Sequence, residues 1–377
     1  MISFADIVVD LRYGDCGKGA VVYELCKDPR YDIVLRWNGG SNAGHTIYHN
    51  GVKFATHLIP TGIFHGKLCV IGSGCVVNPR KFFEELESLR NMGIETEGKV
   101  FIAKNAHIVT EEHIASEQAE SKIGTTKQGI GPAYAAKHAR TGIRAESVPE
   151  LAPYLVDLYE LFYSSTPYGV LAEGAQGFDI DIDWCAEYPF SSSSIATVAG
   201  AIQNGIPWDK VRKVFGVAKA YDTYVGSRDF EPKNAIFQKL RELGSEFGAT
   251  TGRPRQCNWL DLYGLTKAIE VNSVTDVVIS KMDILRELNK QTDNQNWCFA
   301  HSRESLPGED SFVAYLSDHL MKLQSVKRLH WRNSPTDSMG NGTMFCRGTS
   351  RTDKTQLEIM RDILRQEQFR YISKEGL

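Results

Sequence analysis

The stretch ADIVVDLRYGDCGKGAVVYEL, residues 5–25, decides the reading of the fold. Residues 5–11 form a β-branched apolar run that predicts a strand, residues 14–19 supply a glycine-rich loop, and Val21, Val22 and Leu25 mark one face of a following helix. Short apolar strands recur at residues 33–37, 68–71, 100–103, 170–172, 214–217 and 277–279, with helical or irregular stretches between them. Such alternation predicts an α/β protein built on a large, mostly parallel central sheet with helices on both faces. Asn50-Gly51, between runs at 46–48 and 54–58, is a type I′ hairpin signal. Pro79 opens a helix that carries Phe82, Phe83, Leu86 and Leu89 at helical spacing. With no linker, repeat or low-complexity block, one domain over residues 1–377 is expected, ending in a packing helix at 354–371 that shows Leu357, Met360, Leu364 and Phe369 near one face.

Composition narrows the function classes. Hydrophobic residues make up 42% and charged residues 24% of 377, so the chain can bury a sizeable core. Lysine and arginine (43) nearly balance aspartate and glutamate (46), and a net charge of −3 gives no global reason to bind nucleic acid or a membrane surface. No run of about 18 apolar residues occurs and the N-terminus has no secretory pattern, so the cytoplasm is the expected compartment. The eight cysteines form no Cys-x-x-Cys pair and read as reduced, mostly buried thiols.

Four further segments carry chemistry beside the first loop. In Gly14-Asp15-Cys16-Gly17-Lys18-Gly19 the amides at a helix start and the Lys18 charge suit phosphate, although a tight strand-to-helix turn has the same look. The glycine spacing is too short for a Walker A loop, and no Ser or Thr follows the lysine. Asp15 repels phosphate unless it holds Mg²⁺ or exchanges a proton with a neighbour. Asn42-Ala43-Gly44-His45-Thr46 adds a polar loop with one imidazole, which can be a structural hydrogen-bonder or a proton donor. Gly124-Thr125-Thr126-Lys127-Gln128-Gly129-Ile130-Gly131-Pro132, backed by Lys137, Arg140 and Arg144, reads as a hydroxyl-rich anion site or as a loop before a basic helix. Thr250-Thr251-Gly252-Arg253-Pro254-Arg255 sets two guanidinium forks two residues apart, a match for carboxylates or phosphates. Ser280-Lys281-Met282-Asp283 places a carboxylate where it could accept two N–H groups from a guanine edge.

Taken in order, GDCGKG, NAGHT, IGTT with GIGPAY, EGAQG, TTGRPR and the late Lys-x-Asp resemble adenylosuccinate synthetase over about residues 7–285. The resemblance implies a P-loop-related α/β fold and a homodimer that ligates L-aspartate to carbon 6 of a purine nucleotide with GTP and Mg²⁺. By that resemblance Asp15 takes the N1 proton and helps hold the metal with the Gly44 carbonyl, and His45 donates to charge developing on oxygen 6. Gly14, Gly17, Lys18 and Gly19 would take the triphosphate, with Lys281 and Asp283 on its base. Asn42, Thr126, Gln176 and Thr197 would surround the nucleoside monophosphate, Arg140 would reach the monophosphate of the neighbouring subunit, and Thr251, Arg253 and Arg255 would hold aspartate.

The sequence also departs from the family pattern. Cys16 and Ala20 stand where the family usually has Glu and Lys, Gln128 where it has Arg, Ile195-Ala196-Thr197 in place of Asn-Thr-Thr, and Asp222-Thr223-Tyr224 in place of Thr-Thr-Arg. Near the C-terminus only Gly348-Thr349-Ser350-Arg351 stands where a Gly-Pro-x-Arg loop for the donor base is expected. A kept reaction core with a changed substrate shell points to dGMP ahead of IMP, with room for the 2-amino group gained at Cys16. A phage-encoded branch of the family is similar in acting on dGMP with an ATP-type donor, ATP or dATP, on the way to 2-aminoadenine DNA. Such an origin would put the chain in the host cytoplasm. That branch often has a hydroxyl residue where this chain has Asp15. A GTP-binding regulator without a ligase step is the rival of another class, and the Arg253/Arg255 pair argues against it.

Overall fold

The computed structural model describes residues 1–118, 123–248, 252–292, 296–302, 305–334, 336–337 and, as backbone, 344–346. Its centre is a ten-stranded sheet. From one edge the order is Met344–Cys346, Arg328–Trp331, Asp276–Ser280, Val211–Lys219, Ile2–Asp10, Tyr168–Glu173, Ile33–Arg36, Leu68–Ile71, Val100–Ala103 and Leu155–Val156. Every neighbouring pair is parallel except the edge pair Arg328–Trp331 and Met344–Cys346.

Both faces of the sheet are covered, and the side-chain alternation of each strand shows it. Ala5, Ile7 and Val9 of the first strand join one apolar cluster while Val8 joins the other. Ile33 and Leu35 part from Val34 in the same way, as do Val170 and Ala172 from Leu171. Continuous apolar runs therefore feed two cores, which is why the central strands show no polar alternation.

Among the described residues the predicted strands and the predicted helices fall where the sequence placed them, with strand bounds that differ by up to three residues. Val100–Ala103, Leu68–Ile71 and the helix Pro79–Asn91 match; Asn78 caps that helix, its side chain accepting from the Lys81 N–H at 3.1 Å. The hairpin His45–His49/Val52–Thr56 turns through Asn50 (φ 50°) and Gly51 (φ 80°), both left-handed as a type I′ turn requires. Not anticipated were Leu155–Val156, Arg328–Trp331 and Met344–Cys346 toward the two ends of the large sheet, nor the two-stranded pairs Tyr221–Tyr224 with Gln256–Trp259 and Val76–Val77 with His107–Ile108. The seven described cysteines are free thiols and five of them are buried. Thr251, the 348–351 loop and the 354–371 helix lie outside the described residues. Among the described residues no helix is long and apolar enough to cross a membrane.

Parallel strands put all their carboxyl ends on one side. Five adjacent central strands end there in Ser280, Lys219, Asp10, Glu173 and Arg36. A row of polar residues closing apolar strands marks the side where α/β sheets bind ligands.

Candidate active site

Loops leaving those strand ends supply Asp15 and Lys18 of the first loop, Asn42 to His45 of the second, and Gln176 to a pocket that is completed by Thr125 and Thr126 of the third, the loop before the helix Ile130–Ala139, and by Tyr224 and Arg253. Several of these loops are fixed in unusual backbone states. Asp15 (φ 57°), Gln176 (φ 57°) and Lys281 (φ 65°) are all left-handed, a conformation non-glycine residues adopt at a cost of about 1 to 3 kcal/mol when the surroundings impose it.

The first loop is organised from below by Asp10. Its fully buried carboxylate accepts the N–H groups of Arg12 (3.0 Å), Gly14 (3.2 Å) and Cys16 (3.0 Å) and the ammonium of Lys18 (3.0 Å). Burial alone would raise its pKa, but Lys18 and the loop amides bring it below the usual carboxylate range. Lys18 also donates to the Gln176 carbonyl at 2.6 Å, which joins this loop to the one after Glu173. Cys16 is buried under the loop with Sγ 3.5 Å from the Gly14 carbonyl, and it does not line the pocket. The expectation that Cys16 opens space for a 2-amino group is therefore corrected: its thiol faces the protein interior.

His45 stands on the hairpin strand beside the helix Lys18–Leu25. That approach requires Gly19, where a Cβ would come 2.6 Å from His45 Cβ. The His45 Nδ1 is held against Glu173 Oε1 and lies 3.0 Å from Arg36 Nη2, while Arg36 also pairs with Glu173 at 2.8 Å. Glu173 further accepts the Thr61 N–H (2.8 Å) and hydroxyl (3.1 Å). Burial, then the Arg36 charge, push the His45 imidazole down to about 4. Burial opposes ionisation of Glu173, but Arg36 and His45 carry its pKa below the ordinary value. With Nδ1 engaged inside, Nε2 is the ring nitrogen left for the pocket. Glu173, the first residue of EGAQG, and Arg36 were given no role from the sequence, since nothing in their spacing links a strand-end arginine and glutamate 137 residues apart to one imidazole.

The arginine segment divides. Arg253 lines the pocket and donates both terminal nitrogens to the Gly124 carbonyl at 3.0 Å, tying the third loop to this one. Arg255 lies deeper, with Nη2 2.8 Å from Asp15 Oδ2 and Nη1 donating to Glu246 at 2.5 Å. Lys281 donates to the Gly244 carbonyl at 2.8 Å. Asp283, on the first turn of the next helix, has a buried Oδ1 with no partner, and burial raises its pKa.

Seven expected site residues among those described lie outside the lining: Gly17, Gly19, Lys281 and Asp283, together with Thr197, Arg140 and Arg255. Thr197 is buried as the N-cap of Val198–Gln203, its N–H on Asp181 at 3.1 Å. Arg140 is exposed at the C-cap of Ile130–Ala139, outside the pocket lining of its own chain. Among the described residues Arg255 meets the lining through Asp15.

A family model described as adenylosuccinate synthetase matches residues 7–150 and 145–302. The chain belongs to the adenylosuccinate synthetase family. The adenylosuccinate synthetase of Thermodesulfovibrio yellowstonii is 38% identical over 75% of this chain and 78% of its own length, and that of Moorella thermoacetica 37% over 81% and 83%. Among solved structures, the fully ligated adenylosuccinate synthetase of Plasmodium falciparum superposes with a TM-score of 0.68 at 32% identity, over 76% of this chain and 78% of that one. The succinoaminodeoxyadenylate synthetase of cyanophage S-2L, bound to dGMP and dATP as an energy donor, gives 0.70 over 96% and 99% at 20% identity, a likeness of fold. As a family member the chain is a nucleoside-triphosphate-dependent C–N ligase of the adenylosuccinate synthetase type, acting on small molecules.

Proposed function

We propose that the chain joins L-aspartate to carbon 6 of dGMP through a 6-phosphoryl intermediate, giving 2-aminodeoxyadenylosuccinate. The observation that carries the choice of acceptor is Tyr224. It lines the pocket where the family usually has the arginine of Thr-Thr-Arg. A guanidinium only donates hydrogen bonds, as does an exocyclic amino group, so the two oppose each other; a phenol hydroxyl can accept. Asp222 of the same segment turns inward to Arg12, at 2.9 and 2.8 Å, and leaves Tyr224 as the substituted group on the wall.

In this reading Asp15 accepts the N1 proton of the 6-oxopurine. Oxygen 6 then attacks the γ-phosphorus, the bond to the β-phosphate oxygen breaks, and the nucleoside diphosphate leaves. His45, with Nδ1–H on Glu173, presents Nε2 to the reacting oxygens; its depressed pKa keeps it neutral until the anionic triphosphate binds beside it, where it takes up a proton and donates to the charge formed there. The amine of L-aspartate adds to carbon 6, inorganic phosphate departs and the excess proton goes to solvent. Lys18 and the loop that carries Gly14, Gly17 and Gly19 serve the triphosphate; Asn42, Thr126, Gln176 and Thr197 serve the monophosphate; Thr251, Arg253 and Arg255 serve the amino acid. The orphaned Asp283 Oδ1, with Lys281 beside it, suits a donor base that offers N–H groups, two adjacent ones in guanine. Arg140 would enter the site of a second copy in a homodimer, as its exposed position allows.

Among the described residues no group of three or more His, Cys, Asp or Glu side chains could hold a metal by itself. Mg²⁺ commonly takes one or two carboxylates plus substrate phosphates, so Asp15 with the Gly44 carbonyl fits an ion that arrives with the triphosphate. When bound, the ion would offset charge on the transferring phosphoryl group.

IMP with GTP is the second reading. The retained Asp15 and the adenylosuccinate synthetases among the relatives favour it. One matrix separates the two: IMP, GMP and dGMP against GTP, ATP and dATP, with Mg²⁺ and L-aspartate, following phosphate release and the ultraviolet shift of the product. Turnover of dGMP is expected; turnover of IMP alone refutes the dGMP reading.

A further inference from the structure

Glu246 has no assigned role, yet it is fully buried and gathers three cations. Its Oε2 accepts from Lys219 Nζ at 2.8 Å and from Arg255 Nη1 at 2.5 Å, and its Oε1 accepts from the Tyr221 hydroxyl at 2.6 Å and lies 3.7 Å from Lys281 Nζ. Burial works against the charge, but Lys219, Lys281 and Arg255 hold the carboxylate well below its ordinary range, so it is an anion at neutral pH. The backbone is tied in as well: the Arg255 N–H donates to the Glu246 carbonyl at 2.9 Å.

The other nitrogen of the same guanidinium, Nη2, is held among the described residues by Asp15, whose side chain is 34% exposed. Arg255 therefore has one fixed end and one end that a carboxylate ligand could take over. A guanidinium anchored at one nitrogen presents the other in a set direction and loses less conformational freedom on binding. We propose that Glu246 is the positioning residue for L-aspartate: it holds Arg255 for the amino-acid carboxylate and, through Lys281, joins that site to the one for the donor base. The inference rests on the reading of Arg255 and Lys281 given above.

Steady-state kinetics on purified Glu246→Gln, Glu246→Asp and Arg255→Lys test it, with whichever of dGMP and IMP the unaltered chain turns over. Glu246→Gln is expected to raise KM for L-aspartate about tenfold or more, to raise KM for the triphosphate less, and to leave KM for the monophosphate within about twofold. Glu246→Asp keeps the charge and should recover part of the loss. An unchanged KM for L-aspartate in a folded Glu246→Gln protein, or an equal rise for all three substrates, overturns the proposal. Should Glu246→Gln fail to fold, Glu246→Asp decides, since it must still raise KM for L-aspartate selectively. If Arg255→Lys raises that KM and the Glu246 variants do not, only the role of Glu246 falls. If Arg255→Lys leaves it unchanged, or the unaltered chain shows no aspartate-dependent turnover, the reading beneath it falls too.

Discussion

Arg255 Nη2 lies 2.8 Å from Asp15 Oδ2, so the guanidinium proposed for the amino acid already touches the carboxylate proposed to take the substrate proton. Two groups 240 positions apart in sequence thus meet at the wall of one pocket, Asp15 in its lining and Arg255 behind it. Asp15→Asn should lower kcat by about 10²- to 10⁴-fold, the usual worth of a general base, while monophosphate binding stays within severalfold. Equilibrium binding and single-turnover measurements check the two halves; full activity would remove Asp15 from its role.

Glu173 fixes the imidazole of His45 and neutralises Arg36. Glu173→Gln should reduce kcat about tenfold to a hundredfold with KM values little altered. It should also lower stability by about 3 to 5 kcal/mol, because Arg36 is left buried without its anion. Denaturant unfolding beside kinetics reads both; a loss of stability with intact kcat would make Glu173 purely structural.

The buried imidazole of His45 sits at about 4, below its ordinary 6.5. A depressed pKa means that the unfolded chain binds the proton first as pH falls. The stabilising share of neutral His45 is therefore present above about pH 6.5 and is lost between about 6.5 and 4, on the order of 3 kcal/mol in total. Thermal midpoints across that window should fall more steeply for the unaltered chain than for His45→Gln. Parallel curves would contradict this.

Gly19→Ala introduces a Cβ 2.6 Å from that of His45. Overpacking of this kind costs about 1 to 3 kcal/mol, and here it displaces the imidazole as well. A drop in kcat larger than the drop in stability implies is expected, measured by kinetics at a temperature where the variant stays folded.

Arg140 is exposed on its own chain and is proposed to complete a neighbour's site. Arg140→Ala and Asp15→Asn proteins, each nearly inactive, should regain activity when mixed and allowed to exchange subunits. Light scattering checks the dimer, and no recovery on mixing would confine each site to one chain.

Much of this was legible in the sequence. The run 5–25 fixed a strand, a loop and a helix because apolar period and glycine chemistry are local, and the order of the polar motifs pointed to the family. Edge strands such as Leu155–Val156 escaped notice: two residues carry no periodicity, and pairing with a neighbour creates them. The partners of the site residues were equally silent. Asp10, Arg36, Glu173 and Lys219 sit at the ends of apolar strands and look like ordinary boundaries until parallel pairing sets them side by side. Cys16 shows the reverse error, since its place in the loop suggested the pocket while the left-handed turn at Asp15 and Gly17 directs it inward. Local chemistry is written along the chain; which charge faces which depends on strand order and side-chain direction, and these exist only once distant segments have packed.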